Sequence, residues 1–174
     1  MKRKRLQADY VRQIEENGKT SYTYMGPKFS LAVTQEERRR YIVTCWLAPA
    51  LSFLVFVFMG LLNTAGTRVP YVALPYVGIF LPVMILFGNA YKVTVARAEM
   101  QRAEYERGIL QMRSYTVVGL VFSGATLLGQ TVLLIFGNVV EVMREWGFLA
   151  CAVVLCMNFG LFLQIQRRIR VQIR

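Results

Sequence analysis

The sequence predicts an all-α membrane protein: four transmembrane helices, N and C termini cytoplasmic, with a short N-terminal helix plus β-hairpin at the membrane surface. Three observations carry that expectation. Four stretches, about 41–62, 69–91, 115–137 and 146–166, contain no charged residue, and at about 1.5 Å of rise per residue each covers the roughly 30 Å of a bilayer's hydrocarbon core. Of the 174 residues, 55% are hydrophobic and only 18% are charged. Soluble domains carry about 25% charge, so little of the chain remains for a separate soluble core. Finally, Lys and Arg alternate between the joining segments: 10 in residues 1–40, one in 63–68, five in 92–114, one in 138–145 and four in 167–174. Basic residues beside a span stay on the cytoplasmic side, and 19 against two puts both termini and the middle linker there.

Subtracting acidic residues leaves +5 (10 minus five), +2 (five minus three) and +4 (four minus none) on that side and zero on the other. The whole net charge of +11 is therefore expected in the cytoplasm. It faces anionic lipid headgroups, each basic residue near the surface contributing about 1 kcal/mol, and nucleic acid is not the expected partner.

Residues 1–33 form the expected cytoplasmic N-terminal helix and hairpin, and 34–174 the four-helix transmembrane domain. Leu6, Tyr10, Val11 and Ile14 recur at helical spacing within residues 3–16, and Asn17-Gly18 supplies a helix stop. Ser21 to Met25 and Phe29 to Val33 alternate around the turn Gly26-Pro27, which predicts a β-hairpin with Tyr22, Tyr24 and Phe29 on an aromatic face. A lone hairpin is marginal in water, so those three side chains are expected to rest on a partner or on the membrane interface. Met1 to Arg5 is basic, but no apolar stretch with a small-residue cleavage site follows, so no removable signal peptide is expected.

Thr34 and Glu37 have the spacing of a capping box, which starts the first helix just ahead of Arg38, Arg39 and Arg40. Pro49 inside this span removes a backbone hydrogen bond and predicts a kink. In the second span Pro70 suits a helix start, while Pro75, Gly78, Pro82 and Asn89 repeat at three-four spacing on one face. Pro75 and Pro82 free the carbonyls of Tyr71 and Gly78; on one face these could coordinate a permeating cation, or the helix is simply bent. The charged cytoplasmic linker 92–114 reads as helical, with Glu99, Arg102 and Glu106 spaced for same-face ion pairs and Gly108 offering a break.

The third span carries Thr116, Gly119, Ser123, Thr126, Gln130 and Gly137 on one stripe, with Leu133 its single large member. Small, weakly polar side chains let helices approach and hydrogen-bond in lipid, so this stripe is expected to face protein. The fourth span places Ala152, Cys156 and Gly160 four apart, and Asn158 is its strongly polar residue near mid-membrane. Counted by depth, Asn158 comes level with Thr126. An unpaired amide in hydrocarbon costs several kcal/mol, so Asn158 should turn to Ser123, Thr126 or Ser52 of the first span rather than to lipid. Trp46 and Trp146 suit the two interfaces.

The chain has no histidine, which removes Ser-His-Asp and Cys-His catalysis and the commonest metal ligand. Cys45, Cys151 and Cys156 lie inside spans without a C-x-x-C spacing and read as packing residues. No carboxylate falls within the four charge-free stretches, which argues against proton coupling, and Glu141 and Glu145 are expected to pair with Arg144 or water in the second outer loop. No cofactor or metal is implied.

These features predict a non-enzymatic integral membrane protein, most simply in a bacterial cytoplasmic membrane, acting as an accessory, assembly or regulatory subunit of a larger membrane complex. Its partners would be other membrane-protein subunits or further copies of itself. The alternative is a homo-oligomeric small channel or facilitator, for which Ser52, Ser123, Thr126, Gln130 and Asn158 would line the pathway and Pro49, Pro75 and Pro82 would break the helices.

Overall fold

The structure is a computed structural model, and it describes residues 10–14, 20–24, 28–31, 34–95, 99–101, 105–137, 141–168 and 171–173. Helix α1 is Gln35–Leu61; α2 (Pro70–Gly78) and α3 (Phe80–Val95) make the second span; α4 is Gln111–Phe136 and α5 is Val142–Arg168. A π-helical turn, Glu106–Leu110, leads into α4, and a 3₁₀ turn, Ala65–Arg68, joins α1 to α2. The four apolar crossings are 27, 26, 29 and 27 residues long, roughly 40 Å each at helical rise, enough to span a bilayer. The protein is a multi-pass integral membrane protein.

Each helix packs on its sequence neighbours, α1 on α3, α2 and α3 on α4, α4 on α5, and α5 back on α1, closing a four-membered up-down ring. The start of α1 is fixed by Thr34: its hydroxyl accepts from Glu37 N at 3.3 Å while the Glu37 carboxylate accepts from Thr34 N at 2.9 Å. Pro49 leaves Cys45 without an intrahelical donor, and both residues sit on the buried face with Tyr41, Ala48, Ser52 and Met59.

The second span parts at Ile79, three residues before Pro82. Ile79 N turns to Tyr76 O at 3.1 Å, and Pro82 has no N–H to offer Gly78 O. The freed Tyr71 carbonyl faces α4, where a side chain at Gly129 would lie 3.0 Å from it, and Gly78 itself packs on α4, where an added Cβ would lie 2.9 Å from the Phe122 ring. Pro82 and Asn89 are buried on this same inward face.

The N-terminal expectations need correction. Tyr10–Ile14 is a strand, β1, where a helix over 3–16 was expected; it pairs antiparallel with β2, Thr20–Tyr24. A short exposed helix gains little in water, whereas Tyr10, Val11 and Ile14 suit a strand once a partner is present. β2 does not pair across Gly26-Pro27 with β3, Lys28–Leu31; β3 lies between β4, Glu99–Gln101, and β5, Val171–Ile173. Among its described residues the linker 92–114, expected to be helical, holds the end of α3, the strand β4, the π turn and the first residues of α4. Gly108 is no break: it is buried inside the π turn that continues into α4, where an added Cβ would lie 3.6 Å from the Val93 side chain. The ion pairs expected of Glu99, Arg102 and Glu106 fall partly outside the described residues, as does the expected burial of the Tyr22, Tyr24 and Phe29 side chains.

Candidate functional site

Helix α5 begins at Val142, ahead of the expected boundary at 146, and this draws Glu145 into its first turn. The residue lies on the buried face that runs on through Phe148, Ala152, Leu155, Phe159, Phe162 and Gln166, and it is only 1% exposed. Burying a carboxylate is costly unless it is hydrogen-bonded, and this one is. Oε1 accepts from Ala65 N and Oε2 from Gln130 Nε2, both at 2.6 Å. Ala65 opens the 3₁₀ turn, where backbone amides have no partner within the turn, so the carboxylate supplies an acceptor the local structure lacks. Arg144 pairs with Glu141 instead, at 2.7 Å and well exposed. The expected pairing of Glu145 with Arg144 or water is thereby overturned, and although the charge-free stretch 146–166 holds no carboxylate, the longer helix α5 takes one in at Glu145.

Three chain segments meet at this carboxylate: the first loop, the end of α4 and the start of α5. Gly66 permits the meeting, because a Cβ there would collide with the Gln130 carboxamide oxygen. Among the described residues, two buried atoms at this end have no hydrogen-bond partner, Gln130 Oε1 and Thr64 Oγ1. A cavity of about 300 Å³ opens at Thr64, lined also by Asn63, Ala65, Arg68, Glu141, Arg144 and Glu145.

The other polar residues singled out from the sequence are distributed along the bundle. Asn158 turns to the first span, its Nδ2 donating to Ser52 Oγ at 2.8 Å and to Ala48 O at 2.9 Å. Ser123 and Thr126 donate to carbonyls of their own helix, Leu120 O at 3.0 Å and Phe122 O at 2.9 Å. Both are fully buried with Thr116, Gly119 and Gln130, so the stripe on α4 faces protein. Gly119 accommodates the Phe159 ring, which would lie 2.7 Å from an added Cβ. Gln130, one turn beyond Thr126, has Glu145 as its partner, which the early start of α5 makes possible.

At the opposite end of the bundle, Gln166 Nε2 donates to Thr116 Oγ1 at 3.1 Å, and Trp46 Nε1 to Thr94 Oγ1 at 2.9 Å. Lys92 Nζ donates to the buried Asn89 Oδ1 at 3.2 Å. Cys45 contacts Met112 through sulfur at 3.7 Å. Among the described residues no three His, Cys, Asp or Glu side chains gather as a metal ion would need. The chain matches no family model, no curated protein and no solved structure.

Glu145 is thus the residue that sequence reasoning missed. Its signal was present in the spacing 145, 148, 152, 155, 159, 162 and 166, an uninterrupted three-four rhythm of one helix face.

Proposed function

We propose that this protein is a non-enzymatic accessory, assembly or regulatory subunit of a larger complex in a bacterial cytoplasmic membrane, with both termini and the 92–114 linker cytoplasmic. The supporting observation is how the bundle uses its polar groups. Ser123 and Thr126 donate to carbonyls of their own helix, Asn158 is bonded to Ser52, and the Phe159 ring fills the space at Gly119. A conducting pathway needs polar groups presented to a continuous open space, and this stripe spends its groups on helix–helix packing. The basic cytoplasmic surface would hold anionic lipid headgroups.

The test is recovery of the full chain from its native membrane in mild detergent. Reproducible association with a different membrane protein supports a subunit role, and loss of that partner on deletion of residues 1–33, with the four spans still inserted, would place the contact on the N-terminal segment. A lone symmetric oligomer that passes ions or small solutes in liposomes would replace this reading with the channel.

A further inference from the structure

The cavity beside Glu145 has a charge pattern that the subunit reading does not use. Its walls carry Arg68 and Arg144 against Glu141 and Glu145, so the lining is formally neutral but strongly polar. Glu145 already accepts one N–H on each oxygen, and Arg144 is engaged by Glu141. Arg68 makes only a long contact, Nη2 to Asn63 Oδ1 at 3.4 Å, and its side chain is otherwise exposed. Thr64 is the telling residue. It is 2% exposed, lines the cavity, and its hydroxyl has no partner. A buried hydroxyl left unsatisfied is costly, and turning the side chain so that the hydroxyl meets a ligand oxygen in the cavity would relieve that cost.

We propose that this cavity binds the headgroup of an aminophospholipid, of the phosphatidylethanolamine type. The unspent donors, Arg68 and the Thr64 hydroxyl, suit phosphate oxygens, which a guanidinium holds in fork geometry. Glu141, exposed at the rim, suits a primary ammonium at the other end of the same headgroup, with the buried Glu145 behind it adding to the acidic character of that side. Lining charges of both signs disfavour a purely anionic or purely cationic ligand and favour one that carries both. The source is lipid because of where the cavity lies. Its lining comes from the loop after α1 and the start of α5, at the ends of the spanning helices, and Leu61, Met143 and Trp146, which stand within two residues of lining residues in sequence, are 76%, 89% and 57% exposed. Apolar and Trp side chains at that level face acyl chains and the interface. This goes beyond the anionic surface at the basic end, and it stands whether or not the protein is a subunit.

The experiment is native mass spectrometry of the full chain in detergent, titrated in turn with phosphatidylethanolamine, phosphatidylglycerol, phosphatidylcholine and free O-phosphoethanolamine. Phosphatidylethanolamine should be retained about tenfold more than phosphatidylglycerol, which lacks the ammonium, or phosphatidylcholine, whose ammonium cannot donate. Arg68→Gln should lower that retention about tenfold, the loss expected of one good charge-assisted pair. Thr64→Val should also lower it while leaving the lipid-free protein as stable or more stable, because a partnerless hydroxyl is replaced by a methyl of the same shape. Equal retention of the three lipids, or an Arg68→Gln protein that binds like the parent, would overturn the site. Free O-phosphoethanolamine binding as tightly as the lipid would overturn the lipid assignment.

Discussion

The contact between Gln130 and Glu145 is the sharpest energetic test of the bundle. Hydrogen bonds between membrane helices contribute about 0.6 kcal/mol on average and about 1.7 at most, because the unfolded chain in the membrane also finds partners. Bonds to an ionised acceptor, however, contribute about 1.5–3 kcal/mol. Here the acceptor is a carboxylate at 2.6 Å, and Gln130 and Glu145 are 0% and 1% exposed, so the upper part of the membrane range applies. A double-mutant cycle with Gln130→Met and Glu145→Met, both unbranched and of similar length, should give a coupling of about 1.5 kcal/mol. Glu145→Met alone should cost more than Gln130→Met alone. It strands the Ala65 amide as well as the Gln130 amide, a further penalty of about 1–3 kcal/mol, partly offset by removing a buried charge. Reversible unfolding of the four proteins by SDS or by steric trapping in bicelles measures all three quantities. A coupling below about 0.5 kcal/mol, the range in which distant sites simply add, would show that the carboxylate does not hold α4 to the start of α5.

Three further outcomes are expected. Gly119→Ala should destabilise by about 1–3 kcal/mol, since the new methyl meets the Phe159 ring, and Phe159→Leu should recover part of that loss; an unchanged midpoint in the same unfolding assay would refute the packing of α4 on α5. Asn158→Leu removes two hydrogen bonds at about 0.6 kcal/mol each, so roughly 1 kcal/mol of stability should be lost while abundance and partner recovery persist; a folded variant that recovers no partner would move Asn158 from packing into function. In a background with Cys45, Cys151 and Cys156 replaced by Ala, a membrane-impermeant thiol reagent added outside should label Arg68→Cys and not Arg102→Cys, and the reverse pattern would invert the proposed topology. Position 66 is unsuitable for this labelling, because a side chain there would displace Gln130.

The parts legible in the sequence were those set by periodicity and by solvent. Charge-free length announces a span because the bilayer penalises charge regardless of what surrounds the helix. The α4 stripe was legible for a related reason. Most side chains of a spanning helix are apolar enough to face lipid, so hydrophobicity alone says little about which face is buried, and residue size and weak polarity become the signal. Thr116, Gly119, Ser123, Thr126, Gln130 and Leu133 could therefore be placed on the inner face by spacing alone, and all six are buried there. Partner choice was less legible. Asn158 could be assigned to the interior, but Ser123 and Thr126 were equally plausible acceptors until the geometry showed them donating to their own helix and Ser52 standing across from the amide. The strands illustrate a different gap: β3 is bounded by segments from the linker and the C-terminal end, and local alternation carries no information about such distant pairing.

Glu145 was hidden by the same rule that revealed the spans. A boundary drawn at the last charge assigns every charged residue to a loop by construction, so it can never find a carboxylate inside the end of a helix. The energy of that carboxylate is not set by its own segment. It is set by an amide released where α1 gives way to the 3₁₀ turn and by a carboxamide on α4, residues 80 and 15 positions away in sequence. What would have located it is periodicity carried past the hydrophobic boundary. The rhythm of Phe148, Ala152, Leu155 and Phe159, extended one step back, lands on Glu145 and not on Glu141. The distinction matters physically, because the two acids in this short stretch then take opposite environments: Glu141 exposed in an ion pair with Arg144, Glu145 buried and held by neutral donors. In a membrane helix, then, a charge just beyond an apolar stretch is best judged by whether it falls on the buried face, since that face continues into the interface where a polar partner can still reach it.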